Sequence, residues 1–390
     1  MTDPLLEQLV AGIDAVLPEA ASLRRAIHAD PHVGGDEMDT RDTLTQAMDW
    51  LDWLPVAETG AFARFGPAGP AVALRAELDA LPIVESTGVE WASQRRGIMH
   101  ACGHDVHMAA LWAVVTAARG LELPVAMVPL LQPREEDSPP GATDVVTSGV
   151  LEDAEVAAMV GVHVQPAVEP GVVSTGAGAV NAAFDAFDIT VTGRGGHGAY
   201  PHLTVDPIGI LATIISGLTD LPGRTINPVN PSVVSVGTVR GGTAPNVIAD
   251  AAHCSGTVRT FHERDQAILH EAITRLAEGM ALAHGASATV RFTRGGPALV
   301  NDAGLAARAD ALYEGLGVPV AGIPFRSCGS DDFSEYNAVV PSLMTFVGVS
   351  SPDGVGLHHG AFLPSRQALR LSAVALATSY VAGAQLARPR

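Results

Sequence analysis

Apolar positions near the start of the chain recur at three- and four-residue intervals, and farther along they gather in short runs. The repeating set is Leu5, Leu6, Leu9, Val10, Ile13 and Val16. This period predicts an amphipathic helix, with a second helical segment over about 21–29. The run Ala71–Leu74 predicts a buried strand, and the pattern from Asp105 to about Ala118 predicts a helix with Asp105 as its N-cap.

Strand and helix patterns alternate over the first half of the chain. An apolar run over Val125–Leu131 is followed by a helical stretch near 142–151 and by another strand run over 156–162. This alternation predicts an α/β domain with a mostly parallel sheet. In such sheets, ligands bind beyond the carboxyl ends of the strands.

The pattern changes near Gly178. Short runs rich in β-branched residues cover 187–191, 232–239, 252–258 and 288–292, and helical patterns cover 207–218 and 265–282. Their order predicts a compact α+β unit. A strand run over 342–349 and a long closing helix over 366–385 then restore the earlier pattern. We therefore expect a domain spanning 179–292, inserted into a first domain formed by 1–178 and 293–390.

Composition narrows the class of protein. The 390 residues are 47% hydrophobic and 17% charged, as in a globular chain, and the formal net charge of -19 argues against nucleic acid and anionic membranes as partners. All 23 basic residues are arginine, which excludes lysine Schiff-base chemistry. Three widely spaced cysteines, an N-terminus without a secretory pattern and no run of membrane-spanning length predict a cytoplasmic protein.

Residues suited to a transition metal stand beside several of the predicted strands. Cys102 and His104 lie two positions apart on a turn that contains a glycine, and His163 and His358 each end an apolar run. Glu135-Glu136 follows the strand that ends near Leu131. Thiolate, imidazole and carboxylate together predict a metal site, and of two adjacent carboxylates one can bind metal while the other transfers a proton. This division of roles is typical of a metallohydrolase.

These residues belong to a longer series of motifs, through which the chain resembles the dinuclear-metal aminoacylases and amidohydrolases. That family includes hippurate hydrolases, auxin-conjugate hydrolases and N-acyl-amino-acid hydrolases, and it is related to carboxypeptidase G and the succinyl-diaminopimelate desuccinylases. The matching segments run nearly end to end: 24–31, 75–82, 100–105, 132–136, 161–163, 195–202, 242–248, 256–260, 329–334 and 357–358.

The resemblance implies that the first domain, formed by 1–178 and 293–390, is the metal-binding catalytic domain. It also implies roles for residues of this domain. It implies two divalent metal ions, with zinc as the expected metal and manganese, cobalt or nickel as alternatives. The implied metal ligands are Cys102, His104, Glu136, His163 and His358. Glu135 is the implied general base, which activates a metal-bound water that attacks an N-acyl amino acid or a related small amide. Asp79 is assigned a supporting role beside the site.

The resemblance also implies roles for the inserted domain. In the family this domain forms a homodimer, and its histidine, here His197, reaches the active site of the other subunit. Asn246 and Arg259 match positions that hold the carboxylate of the substrate. Arginine suits this task because its planar guanidinium can donate two parallel hydrogen bonds to one carboxylate.

The chain departs from the family pattern at several positions. Glu77 stands where aspartate is usual, and Asp331 stands where glutamate is usual. Arg134 precedes the glutamate pair where a small residue is common, and a cation there would lower the pKa values of the carboxylates. His359 follows His358 directly and competes with it as a metal ligand.

Three other functions stay open from the sequence. The chain could hydrolyse small dipeptides with the same metal site, or use Cys102 as a nucleophile without metal. It could also be a non-catalytic member of the family, which the substitutions at Glu77 and Asp331 would explain. No spacing rule identifies the residues that bind the acyl group.

Overall fold

A computed structural model describes residues 3–351 and 354–388, so Met1 and Thr2 of the N-terminal segment considered above lie outside the described residues. The chain divides into two compact units. The first comprises the described residues up to Gly178, Val300–Phe325 and the described residues from Asp332 onward. The second comprises Ala179–Leu299 and Arg326–Asp331.

Helices and strands are numbered along the whole chain. The helices of the first unit are α1 (Pro4–Ala29), α2 (Met38–Ala47), α3 (His104–Ala118), α4 (Gly141–Thr147), α5 (Val150–Asp153), α8 (Ala303–Leu316) and α9 (Arg366–Ala387). Its strands are β1 (Leu54–Val56), β2 (Gly60–Phe62), β3 (Ala71–Glu77), β4 (Ala126–Gln132), β5 (Val156–Gln165), β6 (Val173–Ser174) and β15 (Ser342–Gly348). A 3₁₀ helix covers Asp332–Ala338.

The first unit is built on a seven-stranded sheet with the order β1-β2-β4-β3-β5-β15-β6. The four central strands are parallel, and the strands at the two edges pair antiparallel. Every residue of β3, β4 and β15 is buried, as expected for a parallel sheet covered on both faces. The predicted α/β fold with a mostly parallel sheet is confirmed.

Helix α1 differs from the prediction because it is one element and not two. Asp3 caps its N-terminus by accepting a hydrogen bond from Leu5 N at 3.0 Å, and the helix then continues through Pro18. Its buried face includes Leu6, Leu9 and Ile13, which belong to the main core. This packing compensates for the backbone hydrogen bond that a proline inside a helix cannot donate.

Two other local predictions were wrong in detail. Helix α3 begins at His104, and its N-cap is Gly103 with φ of 88°, not Asp105. The carboxylate of Asp105 is buried and binds side chains of α1. The predicted helix near 142–151 is divided into α4 and α5, because Gly149 adopts φ of 79° between them.

The second unit is an α+β layer. Its elements are β8 (Ala183–Thr192), β9 (Gly196–His197), α6 (Pro207–Thr225), β10 (Ser232–Gly241), β11 (Val247–Ile248), β12 (Ala251–Thr260), α7 (Glu263–Ala283) and β13 (Ser287–Gly296). Strands β7 (Gly178–Asn181) and β14 (Leu299–Asn301) fall at the sequence boundaries between the units. The predicted end of the inserted domain, at residue 292, falls inside β13, which continues to Gly296.

An antiparallel sheet with the order β10-β12-β8-β13 forms one layer of the second unit, and α6 and α7 pack against it. Along β8, Phe187, Ile189 and Val191 are fully buried while Asp188 is exposed. This alternation is typical of a sheet with one face in the core and one in water. Strands β9 and β11 form a separate two-stranded sheet.

None of the helices within residues 3–351 and 354–388 combines the length and the apolar character needed to cross a bilayer.

Candidate metal centre

Several of the predicted site residues lie at or just after the carboxyl ends of neighbouring parallel strands in the first unit. Asp79 comes two residues after β3, and Glu135 and Glu136 come shortly after β4. His163 lies near the end of β5. Because β4, β3 and β5 are adjacent and parallel, their ends meet at one edge of the sheet. The sheet topology therefore brings residues distant in sequence to one place.

Two sets of ligand atoms share the sulfur of Cys102. The first ligand set is Cys102, His104 and His163, and the second is Cys102, Glu136 and His358. Within each set the ligand atoms lie within 4.8 Å of one another. Cys102 Sγ is 3.5 Å from His163 Nε2, and His358 Nε2 is 3.0 Å from Glu136 Oε1. One thiolate common to two sets is an arrangement that suits two neighbouring cations.

The two histidines of the first ligand set are held in the tautomer that a metal requires. His104 Nδ1 donates to the main-chain oxygen of Asp79 at 2.8 Å, and His163 Nδ1 donates to that of Val164 at 2.8 Å. In each ring, Nε2 is therefore the nitrogen that is left to bind a cation. His104 Nε2 is buried and has no hydrogen-bond partner among the described residues. Such carbonyl contacts are the usual support of a metal-ligating histidine, so the donor set fits a transition metal.

His107 shows why a nearby histidine is not a ligand. Its ring lies 4.9 Å from that of His163, and it is completely buried. However, His107 Nδ1 donates to Glu77 Oε2 at 2.9 Å, and its Nε2 accepts from Val164 N at 3.0 Å. Both nitrogens are used, so no lone pair of His107 is left for a cation.

The geometry separates His358 from its neighbour His359. His358 adopts a left-handed backbone with φ of 61°, and its N–H donates to Ala101 O at 2.9 Å. These features direct its ring to Glu136. The ring of His359 instead accepts a hydrogen bond at Nδ1 from Ala361 N at 3.1 Å. The contacts therefore support His358 as the ligand of this pair.

Asp79 orients two other members of the site. Its Oδ2 accepts from Glu136 N at 2.8 Å, and its main-chain oxygen holds His104 as described. Glu135 Oε2 lies 3.9 Å from His104 Nε2, and its side chain is 9% exposed. The carboxylate of Glu135 thus stands beside both ligand sets and keeps limited access to water, as a general base requires.

Burial and charge set the protonation of the ligands before a cation binds. Burial, together with the charges of Glu136 and Glu135, raises the pKa of the Cys102 thiol well above its usual value. Burial alone would lower the pKa of His104, but the charge of Glu77 and the contact with Asp79 raise it to about 10. A cation must therefore displace protons from both groups, and this couples metal binding to proton release.

One departure from the family pattern, Glu77, takes part in a buried network. Glu77 and Arg75 form a very close ion pair, and Arg75 Nη2 lies 2.7 Å from Asp332 Oδ1. Burial opposes the charge of Glu77, but the charges of Arg75 and His107 keep the pKa of its carboxyl well below the usual value. The guanidinium of Arg134, another departure, binds Asp144 closely, and its expected effect on the pKa values of the glutamate pair stays a prediction.

The residues predicted in the inserted domain lie in the second unit, and only part of that set is brought together there. His197 pairs with Val247 across β9 and β11, and Gly198 N donates to Asn246 O at 2.9 Å, so His197 and Asn246 are neighbours. Both are exposed. Arg259 lies on β12, where its Nη1 donates to Cys328 O at 2.9 Å and its guanidinium covers the ring of Phe184. Asp331 also belongs to this unit.

Sequence reasoning gave no role to a buried cluster behind the start of α3. Arg24 Nε binds Asp105 Oδ2 at 2.8 Å, and His28 binds the same oxygen at 3.1 Å and Glu85 at 3.2 Å. The motif 24–31 marked Arg24 and His28 as part of the family pattern but did not indicate their partners. Glu37, which is also buried and lies near the glutamate pair, had no signal in the sequence.

Comparison with known proteins places the chain in a family. Residues 73–377 match the model of peptidase family M20/M25/M40. The chain belongs to this family. It is 34% identical over 360 residues to an N-acetylcysteine deacetylase of Bacillus subtilis, covering 90% of this chain and 93% of that protein. It is 31% identical to thermostable carboxypeptidase 2 of Saccharolobus solfataricus, covering 95% and 97%.

A solved structure of another member of the M20 family is also similar to this chain. A dinuclear metal binding peptidase from the M20 family of Bacillus subtilis superposes with a TM-score of 0.84 and 30% identity, covering 96% of this chain and 99% of that one. The predicted resemblance is confirmed, and so is the predicted class of enzyme: the chain is a metallo-amidohydrolase.

Proposed function

We propose that the chain hydrolyses the amide bond of N-acyl or aryl-acyl amino acids, or of related small amides, at two divalent cations. The observation that supports this most directly is the pair of ligand sets that share Cys102 beside the carboxylate of Glu135. One of the relatives is named as a deacetylase of N-acetylcysteine, which is an acylated amino acid, and this agrees with the proposed substrate class.

In this proposal the metal ligands are Cys102, His104, Glu136, His163 and His358. When bound, two cations lower the pKa of a coordinated water and polarise the amide carbonyl. Glu135 takes a proton from the attacking water at its carboxylate and returns it to the nitrogen of the leaving amine, a contribution typically worth about 10²–10⁴-fold. Asp79 keeps His104 and the backbone of Glu136 in place during both transfers.

The second unit supplies substrate contacts in the same proposal. His197 donates a hydrogen bond to the oxyanion that develops on the carbonyl, and it does so in the active site of the other subunit of a homodimer. Asn246 and Arg259 hold the substrate carboxylate. The contact of Arg259 with Cys328 O supports this role, because it fixes the guanidinium while leaving further N–H groups to bind a carboxylate.

Zinc is the proposed metal because a thiolate and three imidazoles favour it over harder cations. Manganese, cobalt and nickel are the alternatives to test by elemental analysis. The cytoplasm is the proposed compartment, in keeping with Cys102, Cys254 and Cys328, which are all unpaired.

Glu135→Gln tests the proposal. The variant keeps the size of the side chain but cannot accept a proton, so metal content should match the wild type while turnover falls about 10²–10⁴-fold. The substrates should span acetyl, benzoyl, long-acyl and indole-acetyl amino acids. Undiminished turnover in Glu135→Gln would exclude it as the base. Absence of hydrolysis with zinc, manganese and cobalt would favour a non-catalytic member of the family.

A dipeptidase is the second candidate, and the carboxypeptidase among the relatives is the observation that favours it. Unblocked dipeptides therefore belong in the same panel, and a higher kcat/KM for them than for acyl-amino acids would select this function. A metal-independent thiol mechanism is tested by chelation, which it should survive. The raised pKa of Cys102 argues against it, because only a thiolate is an effective nucleophile.

A further inference from the structure

Glu37 is a completely buried glutamate that links two distant segments to the start of α2. Its Oε2 accepts a hydrogen bond from Thr59 Oγ1 at 2.7 Å, between β1 and β2. Its Oε1 accepts from the main-chain N–H of Arg134 at 2.9 Å, across 97 positions in sequence. A buried carboxylate is unfavourable unless its oxygens are used, and here both oxygens have donors.

The contact with Arg134 falls directly before the proposed base. Arg134 N is bound by Glu37, and Glu136 N is bound by Asp79 Oδ2 at 2.8 Å. Two buried carboxylates from different segments therefore hold the amides on either side of Glu135. Hydrogen bonds to a charged acceptor are stronger than neutral ones, so this backbone is firmly held on both sides.

Arg134 also has a backbone that needs such support. Its φ is 52°, in the left-handed region that residues with a Cβ atom rarely adopt. Its carbonyl accepts from Gly141 N at 3.0 Å, and its guanidinium binds Asp144. These two anchors do not involve Glu37, so the loop keeps contacts with the fold when Glu37 is changed.

We propose that Glu37 is a positioning residue for Glu135: by accepting the Arg134 N–H it holds the left-handed turn that directs the Glu135 carboxylate to the ligand sets. This inference rests on the proposed function, in which Glu135 moves the proton. A general base must be within hydrogen-bond reach of its proton, and a displacement of about 1 Å can cost roughly 10²-fold in rate.

Two variants separate the reach of Glu37 from its charge. Glu37→Gln keeps the length of the side chain and a carbonyl oxygen for Arg134 N but loses the charge. Glu37→Asp keeps the charge but withdraws the acceptor by one methylene. If reach is what matters, Glu37→Gln should retain kcat within a few-fold, and Glu37→Asp should lose kcat by about 10–100-fold with KM and metal content unchanged.

Thr59→Val is the matched control, because it removes the other hydrogen bond of Glu37 in the same buried region. We expect it to leave kcat within a few-fold of the wild type. The proposal is overturned if Glu37→Asp has wild-type kcat, if Glu37→Gln is the more impaired of the two, or if either loses metal ions. A second measurement needs no variant: the Arg134 amide should be protected from hydrogen exchange in the wild type, and unprotected exchange overturns the proposal.

A double variant distinguishes failure of this inference from failure of the proposed function. If Glu37 acts only through Glu135, Glu37→Asp/Glu135→Gln should be no slower than Glu135→Gln alone. Additive losses would overturn the positioning role and leave the base in place. Full turnover in Glu135→Gln by itself would instead refute the proposed function, and the role of Glu37 would fall with it.

Discussion

The two units present their candidate residues in opposite ways. In the first unit Cys102, His104 and Asp79 are buried, and the ring of His104 donates a hydrogen bond to the main-chain oxygen of Asp79. In the second unit His197 and Asn246 are exposed on a small two-stranded sheet. The first arrangement is fixed before any ligand arrives, whereas the second is open to water.

In the proposed reaction, this difference separates two kinds of contribution. Buried groups that hold one another set the geometry of the metal ligands, so substitution there should change metal binding. Exposed groups contribute little to the packing, so substitution there should change turnover and leave the fold and the metal content intact. The predictions that follow test this separation, in order of decreasing effect.

Loss of the shared sulfur should have the largest effect. Cys102→Ala removes a ligand from both sets, so we expect loss of both cations and a fall in turnover of roughly 10³-fold or more, since bound cations supply several kcal/mol of transition-state stabilisation. Elemental analysis and kcat/KM measure the two effects. Cys254→Ala is the matched control, because Cys254 is an equally buried cysteine of the second unit. Two retained cations in Cys102→Ala would contradict the ligand assignment.

His197→Ala should lower kcat by about 10²–10³-fold, the usual loss when one donor to an oxyanion is removed. Metal content and thermal stability should not change, because the side chain is exposed. His202→Ala, a nearby exposed histidine, is the control and should have wild-type kcat. A fall in metal content in His197→Ala would remove the distinction between the two units.

Mixed subunits test whether His197 acts across a homodimer. His197→Ala and Glu135→Gln are each expected to be nearly inactive. A heterodimer of the two contains one site with an intact base and an intact histidine if His197 acts in the other subunit. Mixing should then restore measurable turnover, whereas a histidine acting within its own subunit would give none.

Stability of the first unit should depend on the charge of His28. Burial alone would lower its pKa, but hydrogen bonds and charge from Asp105 and Glu85 raise it from 6.5 to about 9. Because the folded pKa exceeds the unfolded one, the stabilisation is complete below pH 6.5 and is lost as the pH rises through about 9. The loss is at most about 3–4 kcal/mol, since each unit of pKa difference corresponds to about 1.4 kcal/mol.

Tryptophan fluorescence can follow this unit selectively, because all four tryptophans lie at 50, 53, 91 and 112, within the first unit. Urea unfolding across this pH range should show the decline in the wild type, and His28→Gln should show a flatter curve. The same decline in both proteins would mean that His28 is not its source.

Arg259→Lys should have the smallest effect, since it keeps the charge and loses only the paired geometry. We expect KM for acyl-amino acids to rise about tenfold, in line with the loss of one charge-assisted hydrogen bond. The matched substrate is the same compound with its carboxylate converted to an amide. For this amide substrate, the wild type and Arg259→Lys should have equal kcat/KM. If Arg259→Lys loses the same factor on the acid and on the amide, carboxylate recognition is refuted.

The sequence predicted the features that depend on local pattern or on motif. The apolar runs indicated β3, β5 and β15, and the series of motifs pointed to the five candidate ligands that the fold collects into two sets. His107 lies outside the motif segments that carry the resemblance, so it is not among the five candidates. Its saturation by Glu77 and Val164 is the physical reason, and that could not be read from the chain.

The sequence failed where distant contacts override local preference. Aspartate is a common N-cap residue, but Asp105 is the second residue of α3. Its carboxylate is buried and paired with Arg24 and His28. The two helical segments expected at the start of the chain are one helix, because the packing of α1 carries it through Pro18. Glu37 is of a residue type common at exposed helix starts. Only its hydrogen bond to Arg134, which lies 97 positions away in sequence, indicates a role.

The thiol shared by both ligand sets has a consequence for handling the purified protein. Sulfur is oxidised to sulfenic and sulfinic acids through its thiolate, and without a cation Cys102 is held in the protonated form inside the core. Metal-stripped protein should therefore withstand storage in air and regain full turnover when zinc is added back. The same burial that raises the pKa of the thiol would then protect the one atom that both ligand sets share.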